Sequence, residues 1–226
     1  MRRLNLKLYS WLLMAFAIPC VGETLRVGIN SYQAPHTLFA NAVVGFESRI
    51  VVDAFNQADT EVALVPYQGN ARVIQAYRKK DIQCILNPPP DLGTHHSKPF
   101  YAFQNVAITL RSRALVISSL SDLGELKVNA FQLAYRFLGD SLKAIDMIEY
   151  KEVANQSLQP LLLMRKRADV VISDLKIFEH HWSDQFPDKI MSDYVEVHNI
   201  IPPVNHTIGC RSLLWVNKFE SGLRKI

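Results

Sequence analysis

Three short apolar runs follow one another near the start of the chain: LRVGI at residues 25–29, VALVP at residues 62–66 and IQCIL at residues 82–86. Each run is bounded by polar loops, which is typical of a buried strand. Between them, residues 46–56 and residues 70–80 carry apolar side chains at helical spacing. Strands and helices that alternate as βαβαβ favour a mostly parallel sheet with helices packed on its faces.

A second block of the same kind follows the segment 97–117. The segment itself contains predicted strands at residues 106–110 and 115–117. The block after it has predicted strands at residues 127–131, 169–172, 194–198 and 207–210, and predicted helices at residues 132–138, 158–166 and 175–182, with a last helix from residue 219. Two such blocks predict two lobes joined by extended crossovers. In that arrangement a cleft lies between the lobes, where the carboxyl ends of strands meet helix N-termini.

The N-terminus has the features of an export signal. Arg2, Arg3 and Lys7 precede an apolar run over residues 8–21, and small or turn-forming residues follow. That run is about 14 residues long, whereas a membrane span needs about 20. We therefore predict a signal peptide over residues 1–22 and a periplasmic location; a retained membrane anchor is the alternative.

Removal of this segment changes the charge of the protein. The whole chain carries a net charge of +4, and three of its basic residues lie in the predicted signal peptide. The remaining net charge of +1 gives nucleic-acid binding no electrostatic support. Two cysteines remain, Cys84 and Cys210. In an oxidising compartment they could pair, and two buried free thiols are the alternative.

A series of motifs runs in order from residue 25 to about residue 223. They are LRVGIN at 25–30, GFE at 45–47, RVIQAYR at 72–78 followed by DIQC at 81–84, SKPFY at 97–101, SLSDL at 119–123 with KV at 127–128, and RADVVISD at 167–174. The series resembles family 3 of the bacterial extracellular solute-binding proteins, the type II periplasmic binding fold of polar amino-acid transporters.

The resemblance implies a two-lobed α/β fold. Each lobe is expected to be a mixed, mostly parallel sheet flanked by helices, with the ligand cleft between the lobes. Lobe 1 is expected to comprise residues 23–105 and 195–226, and lobe 2 residues 106–194.

The resemblance also implies where a ligand would bind. Asp174 falls where the family's acid meets the ligand ammonium group, although an Asp before a predicted helix is also a common N-cap. Tyr32 and His36, together with Phe39, would form an aromatic wall in the first loop, with ordinary loop packing as the alternative.

Four further candidates lie on the crossover and in the second lobe. Phe100 and Tyr101 either contact the ligand or pack at the hinge. Phe131 and Gln132 stand where a strand enters a helix, where backbone amides can hold an anion. For these two the alternative is a buried Phe and a solvated Gln.

The sequence departs from the family where a ligand carboxylate would bind. Amino-acid binders of the family carry an Arg shortly before the crossover, but residues 87–96 contain none. The identity of the ligand therefore stays open. The adjacent pairs His95-His96 and His180-His181 lack the spacing of a typical zinc site, so we predict no metal and no cofactor.

The leading hypothesis is a monomeric periplasmic protein that closes on a small polar ligand, such as an amino acid or an amine. It would serve a membrane permease of ABC type or a membrane sensor, with no catalytic residues. One alternative is a dehydratase-type enzyme on the same fold, with Asp174 and His95 or His96 as its acid–base pair. Another is a degenerate member that binds no ligand.

Overall fold

A computed structural model describes residues 24–37, 39–40 and 43–226 of the chain. The predicted signal peptide and its cleavage after Gly22 lie outside these residues. The side chain of Phe39 is likewise not described.

The order of elements follows the alternating pattern of the sequence. The strands are β1 (Leu25–Asn30), β2 (Phe39–Ala40), β3 (Val43–Val44), β4 (Val62–Tyr67), β5 (Cys84–Leu86), β6 (His95–His96), β7 (Tyr101–Phe103), β8 (Asn105–Leu110), β9 (Lys127–Phe131), β10 (Glu149–Val153), β11 (Val170–Asp174), β12 (Val195–His198), β13 (Val204–His206) and β14 (Ile208–Cys210). The α-helices are α1 (Phe46–Gln57), α2 (Asn70–Arg78), α3 (Ala134–Leu138), α4 (Asp140–Lys143), α5 (Gln159–Met164), α6 (Leu175–Gln185), α7 (Met191–Tyr194) and α8 (Leu213–Leu223).

The first lobe is built on a five-stranded sheet of order β4-β1-β5-β14-β6. Strands β4, β1 and β5 are parallel, and β14 is antiparallel to both β5 and β6. Helices α1 and α8 cover one core of this lobe, which includes Val51, Phe55 and Phe219. Helix α2 packs a second core through Val73 and Tyr77.

The second lobe is built on a five-stranded sheet of order β10-β9-β11-β8-β12. Strands β10, β9 and β11 are parallel, whereas β8 and β12 run antiparallel to their neighbours. The two mixed sheets with flanking helices confirm the predicted fold class. The exact lobe boundaries stay a proposal; because β12 pairs with β8, the pairing favours a return to the first lobe after residue 198.

Two antiparallel strands connect the lobes. Strand β7 pairs with β13 in a small separate sheet, with Val204 opposite Phe103 and His206 opposite Tyr101. Because β7 leads into the second lobe and β13 leads out of it, this ribbon is the connection between the lobes.

The disulfide left open by the sequence is present. Cys84 on β5 and Cys210 on β14 are directly opposite each other in the antiparallel ladder, with their Cα atoms 4.1 Å apart. The two strands are therefore held together covalently in the centre of the first sheet.

Several predicted boundaries differ from the structure. The strand predicted at residues 115–117 is wrong: Ala114 adopts a left-handed conformation that turns the chain out of the sheet, and Val116 is exposed. Strand β10 was not predicted, because its polar sequence EYKEV has no apolar run. Helix α8 begins six residues before the predicted start at 219.

Among the helices of the described residues, none combines the length and apolar character needed to cross a bilayer.

Candidate ligand-binding site

A cavity lies where the two lobes meet, at the carboxyl ends of their parallel strands. Twelve residues line it: Gln33, Asn70, Asn87, Phe103, Asn105, Phe131, Phe137, Gln156, Asp174, Ile177, Val204 and His206. The cavity is narrow, with a volume of about 20 Å³. That is room for one or two water molecules, so the lobes are closed.

Carboxamides dominate the polar lining of the cavity. Five of the lining side chains are of this kind: Gln33, Asn70, Asn87, Asn105 and Gln156. Each carboxamide offers both donors and an acceptor, which suits hydroxyl, amide and amine groups of a solute. The lining residues in the described part of the chain include neither Arg nor Lys. A ligand carboxylate would thus find no guanidinium or ammonium partner there.

Local backbone structure places two of these amides. Asn70 is the first residue of α2, directly after Gly69, which has a φ of 97°. Asn87 follows β5 in a left-handed conformation, with a φ of 46°. Asn tolerates this conformation better than most residues with a Cβ, so the turn itself aims the amide into the cavity.

Asp174, at the end of β11, is bonded across the lobe junction to His36. The distance from His36 Nε2 to Asp174 Oδ1 is 2.8 Å, and both side chains are about 96% buried or more. A carboxylate only accepts, so Nε2–H donates. Nδ1 lies 2.9 Å from the Tyr101 hydroxyl, from which a neutral His36 ring accepts a hydrogen bond.

The carboxylate of Asp174 has four donors in total. Besides His36, Oδ1 accepts from the backbone amides of Lys176 and Ile177, and Oδ2 accepts from the amide of Gln104 at 2.9 Å. The N-cap role considered from the sequence is therefore confirmed. Three of the four donors therefore meet Oδ1 and one meets Oδ2, so Oδ1 is saturated in this closed form.

Two histidines next to the cavity, His36 and His206, pack against the ring of Phe103 on β7. The ring centroid of His36 lies 4.1 Å from that of Phe103, and the centroid of His206 lies 3.8 Å from it. His206 Nδ1 is in turn 2.6 Å from Glu47 Oε1, and that pair is also buried. Burial raises the pKa of Tyr101, and the negative charges of Glu47 and Asp174 raise it further.

Other polar contacts also hold the lobes together. The backbone amide of Ala71 donates to Gln132 Oε1, and Asn70 Nδ2 donates to the Gln132 carbonyl. Arg136 binds both oxygens of Asp91, and this hydrogen bond lowers the pKa of Asp91.

The structure places the seven predicted site residues at different distances from the cavity. Phe131 and Asp174 line the cavity, and His36 and Tyr101 lie directly behind Asp174. Gln132 bridges to α2, and Tyr32 lies half-buried in the first loop. Phe100 packs edge-on against Phe219 in the first core, which fits the packing alternative.

The amide lining was missed by sequence reasoning. Gln33 and Asn87 were treated as loop residues only, and Asn105 and Gln156 carried no motif. What they share in the sequence is their position next to predicted elements. Asn70 begins a predicted helix, Asn87 follows a predicted strand and Asn105 precedes one. The imidazole partner of Asp174 was also missed: it is His36, whereas His95 and His96 form the edge strand of the first sheet.

Comparison with known proteins identifies this architecture. No family model matches the sequence, and no curated protein matches it. Solved structures do match. One is the arginine-bound form of a truncated ArgBP from T. maritima, with a TM-score of 0.72 and 18% identity, covering 89% of this chain and 95% of that chain.

Two other structures match equally broadly. An ancestral arginine-binding protein bound to arginine has a TM-score of 0.74 and 17% identity, covering 89% of this chain and 91% of that chain. A substrate-binding protein of an ABC uptake transporter from Streptococcus pneumoniae, with bound histidine, has a TM-score of 0.74 and 15% identity, covering 89% of this chain and 86% of that chain. The chain has the fold of these binding proteins. At such identities the match establishes the fold alone, and the predicted resemblance holds at that level.

Proposed function

We propose that this protein is an exported, monomeric solute-binding protein that closes its two lobes on a small polar solute without net negative charge. The observation that carries the proposal is the interlobe cavity, with five carboxamides and neither Arg nor Lys among its described lining residues. The fold supports it, because proteins of similar structure were solved with arginine or histidine bound.

The lining favours particular ligand chemistry. Hydroxyl, amide and amine groups can pair with carboxamides, and Phe103, Phe131 and Phe137 offer apolar faces to a carbon skeleton. A free carboxylate would be desolvated without a cationic partner, which is costly in a closed cavity.

Entry of the solute requires the lobes to separate. The closed cavity has room for one or two waters, and the His36–Asp174, Asn70–Gln132 and Arg136–Asp91 contacts span the junction. A ligand can stabilise closure only through contacts that it makes in the closed form and not in the open one. We propose that the closed, loaded form is then recognised by an ABC-type permease in the inner membrane. Uptake is favoured over sensing because one protein of similar structure serves an ABC uptake transporter.

The test is calorimetric titration of the purified protein with arginine, histidine, glutamine, neutral amides, polyols, polyamines and dicarboxylates. We expect heat from at least one neutral or cationic solute and none from dicarboxylates. Absence of binding across the panel, or tight binding of a dicarboxylate, would overturn the proposal.

A matched pair of variants locates the site. Gln33→Ala removes a half-buried carboxamide that lines the cavity, whereas Gln75→Ala removes an exposed one on the outside of α2. Loss of one good hydrogen bond corresponds to about a tenfold weaker affinity. We expect that loss for Gln33→Ala and no change for Gln75→Ala. Equal affinities of the two variants would place the ligand elsewhere.

A further inference from the structure

Helix α6 carries a second group of ligating side chains, outside the cavity. His180, His181 and Asp184 each offer one donor atom, and these atoms all lie within 4.8 Å of one another. His180 Nε2 and Asp184 Oδ2 are 3.4 Å apart. His180 is one helical turn before Asp184, so both side chains lie on the same face of the helix.

The spacing of these atoms fits a metal ion. Two donors that each lie about 2.1 Å from one tetrahedral ion are separated by about 3.4 Å. The distance between His180 Nε2 and Asp184 Oδ2 already has this value. The donor atom of His181 lies within 4.8 Å of the other two, so it must approach them by up to about 1.4 Å to complete the same geometry, which side-chain rotation supplies.

His181 provides an independent indication. Its Nε2 atom is buried and has no hydrogen-bond partner, an expensive state for a polar atom. The backbone of Tyr32 also interacts with this ring, as backbone groups commonly do behind a metal-bound histidine.

We propose that His180, His181 and Asp184 form a binding site for a divalent transition-metal ion of the zinc, copper or nickel type, with water completing the coordination. Two imidazoles and one carboxylate are donors that such ions prefer. Partial exposure of His180 and Asp184 gives the ion access from solvent.

No metal site was predicted from the sequence because that prediction used only the spacing of the two adjacent histidines. Asp184 changes that reasoning, since it lies four residues after His180 and three after His181. Residues at both spacings are neighbours on a helix surface. The site lies near the cleft, because His181 is one turn beyond the cavity residue Ile177.

The test is titration of the metal-free, full-length protein, purified without a polyhistidine tag, with ZnCl₂. We expect one ion per chain. Loss of a residue that only hydrogen-bonds to a metal ligand weakens metal affinity by about 10- to 100-fold. Removal of a ligand itself should therefore weaken the affinity by at least the same factor. His180→Ala and Asp184→Asn should each show this loss. Both side chains are partly exposed, so folding is expected to survive, and far-UV circular dichroism checks it.

The chain offers a matched control. His95 and His96 are also adjacent and exposed, but on a strand, where adjacent side chains point to opposite faces. The double variant His95→Ala/His96→Ala should bind zinc like the wild type. The proposal is overturned if the wild type gives no heat, if both α6 variants keep wild-type affinity, or if only the control variant loses binding.

Discussion

Replacement of Asp174 by alanine should strongly destabilise the second lobe, because one carboxylate meets four donors in a buried position. Loss of an N-cap costs about 1 kcal/mol. The amide of Gln104 and Nε2–H of His36 would also lose their acceptor, and a buried unsatisfied donor costs about 1–3 kcal/mol. Because some relaxation is expected, we predict a total loss of about 3–5 kcal/mol. The free energy of unfolding of Asp174→Asn should lie between those of the wild type and Asp174→Ala, since one amide oxygen replaces two carboxylate oxygens as acceptor.

The measurement is urea unfolding at pH 7, followed by tryptophan fluorescence. Trp182 is buried on α6, the helix that Asp174 caps, so it reports on the lobe in question. The control is Asp122→Ala. Asp122 lies in the short 3₁₀ helix Leu120–Leu123 of the same lobe. Its carboxylate also accepts hydrogen bonds from two backbone amides, those of Ser118 and Ser119, but it is exposed.

The comparison of these two variants decides the argument. Exposed donors regain water when their acceptor is removed, so Asp122→Ala should cost distinctly less than Asp174→Ala. If the two variants unfold at the same urea concentration with unchanged slopes, the reasoning from buried, unsatisfied donors is refuted.

Two further predictions concern the first lobe. A Cβ on Gly222 of α8 would overlap the carbonyl oxygen of Ala54 on α1. Gly222→Ala should therefore lower the free energy of unfolding by about 3 kcal/mol or more. The control is Gly124→Ala, where the surroundings are looser and the substitution should be tolerated. Equal melting temperatures of these variants would contradict the close approach of the helices. Replacement of Cys84 and Cys210 by Ser should cost about 3–5 kcal/mol in urea unfolding, since the bridge closes a loop with a sequence separation of 126. Reductant should bring the wild type to the same stability and leave the double variant unchanged; a loss below about 1 kcal/mol would contradict the loop-closure argument.

The elements that sequence patterns predicted best are those with strong apolar periodicity. Strand β1, helix α1 and strand β9 lie within one or two residues of their predicted ranges, because buried faces impose a regular spacing. Strand β10 was missed for the opposite reason: it is an edge strand with half-exposed, charged residues. Its position is set by pairing with β9, which no local pattern encodes.

The candidate site was harder to predict than the fold. Asp174 was placed correctly at a strand end, and its cap role follows from local sequence. Its bond to His36 joins residues 138 positions apart, and local spacing carries no information about such a pair. The carboxamides were missed because Asn and Gln are ordinary in loops, and only the closure of the lobes brings them around one cavity.

The Cys84–Cys210 bond also has a topological consequence. Every strand of the second sheet, from β8 to β12, lies between the two cysteines in sequence. The whole second lobe is therefore an insertion within one covalent ring that is fastened in the first sheet. A protease that cuts the chain once inside the ring cannot release a fragment, and the pieces separate only after reduction. Even if the second lobe came apart transiently, the strands at both ends of the insertion would stay side by side, ready for it to refold onto the same base.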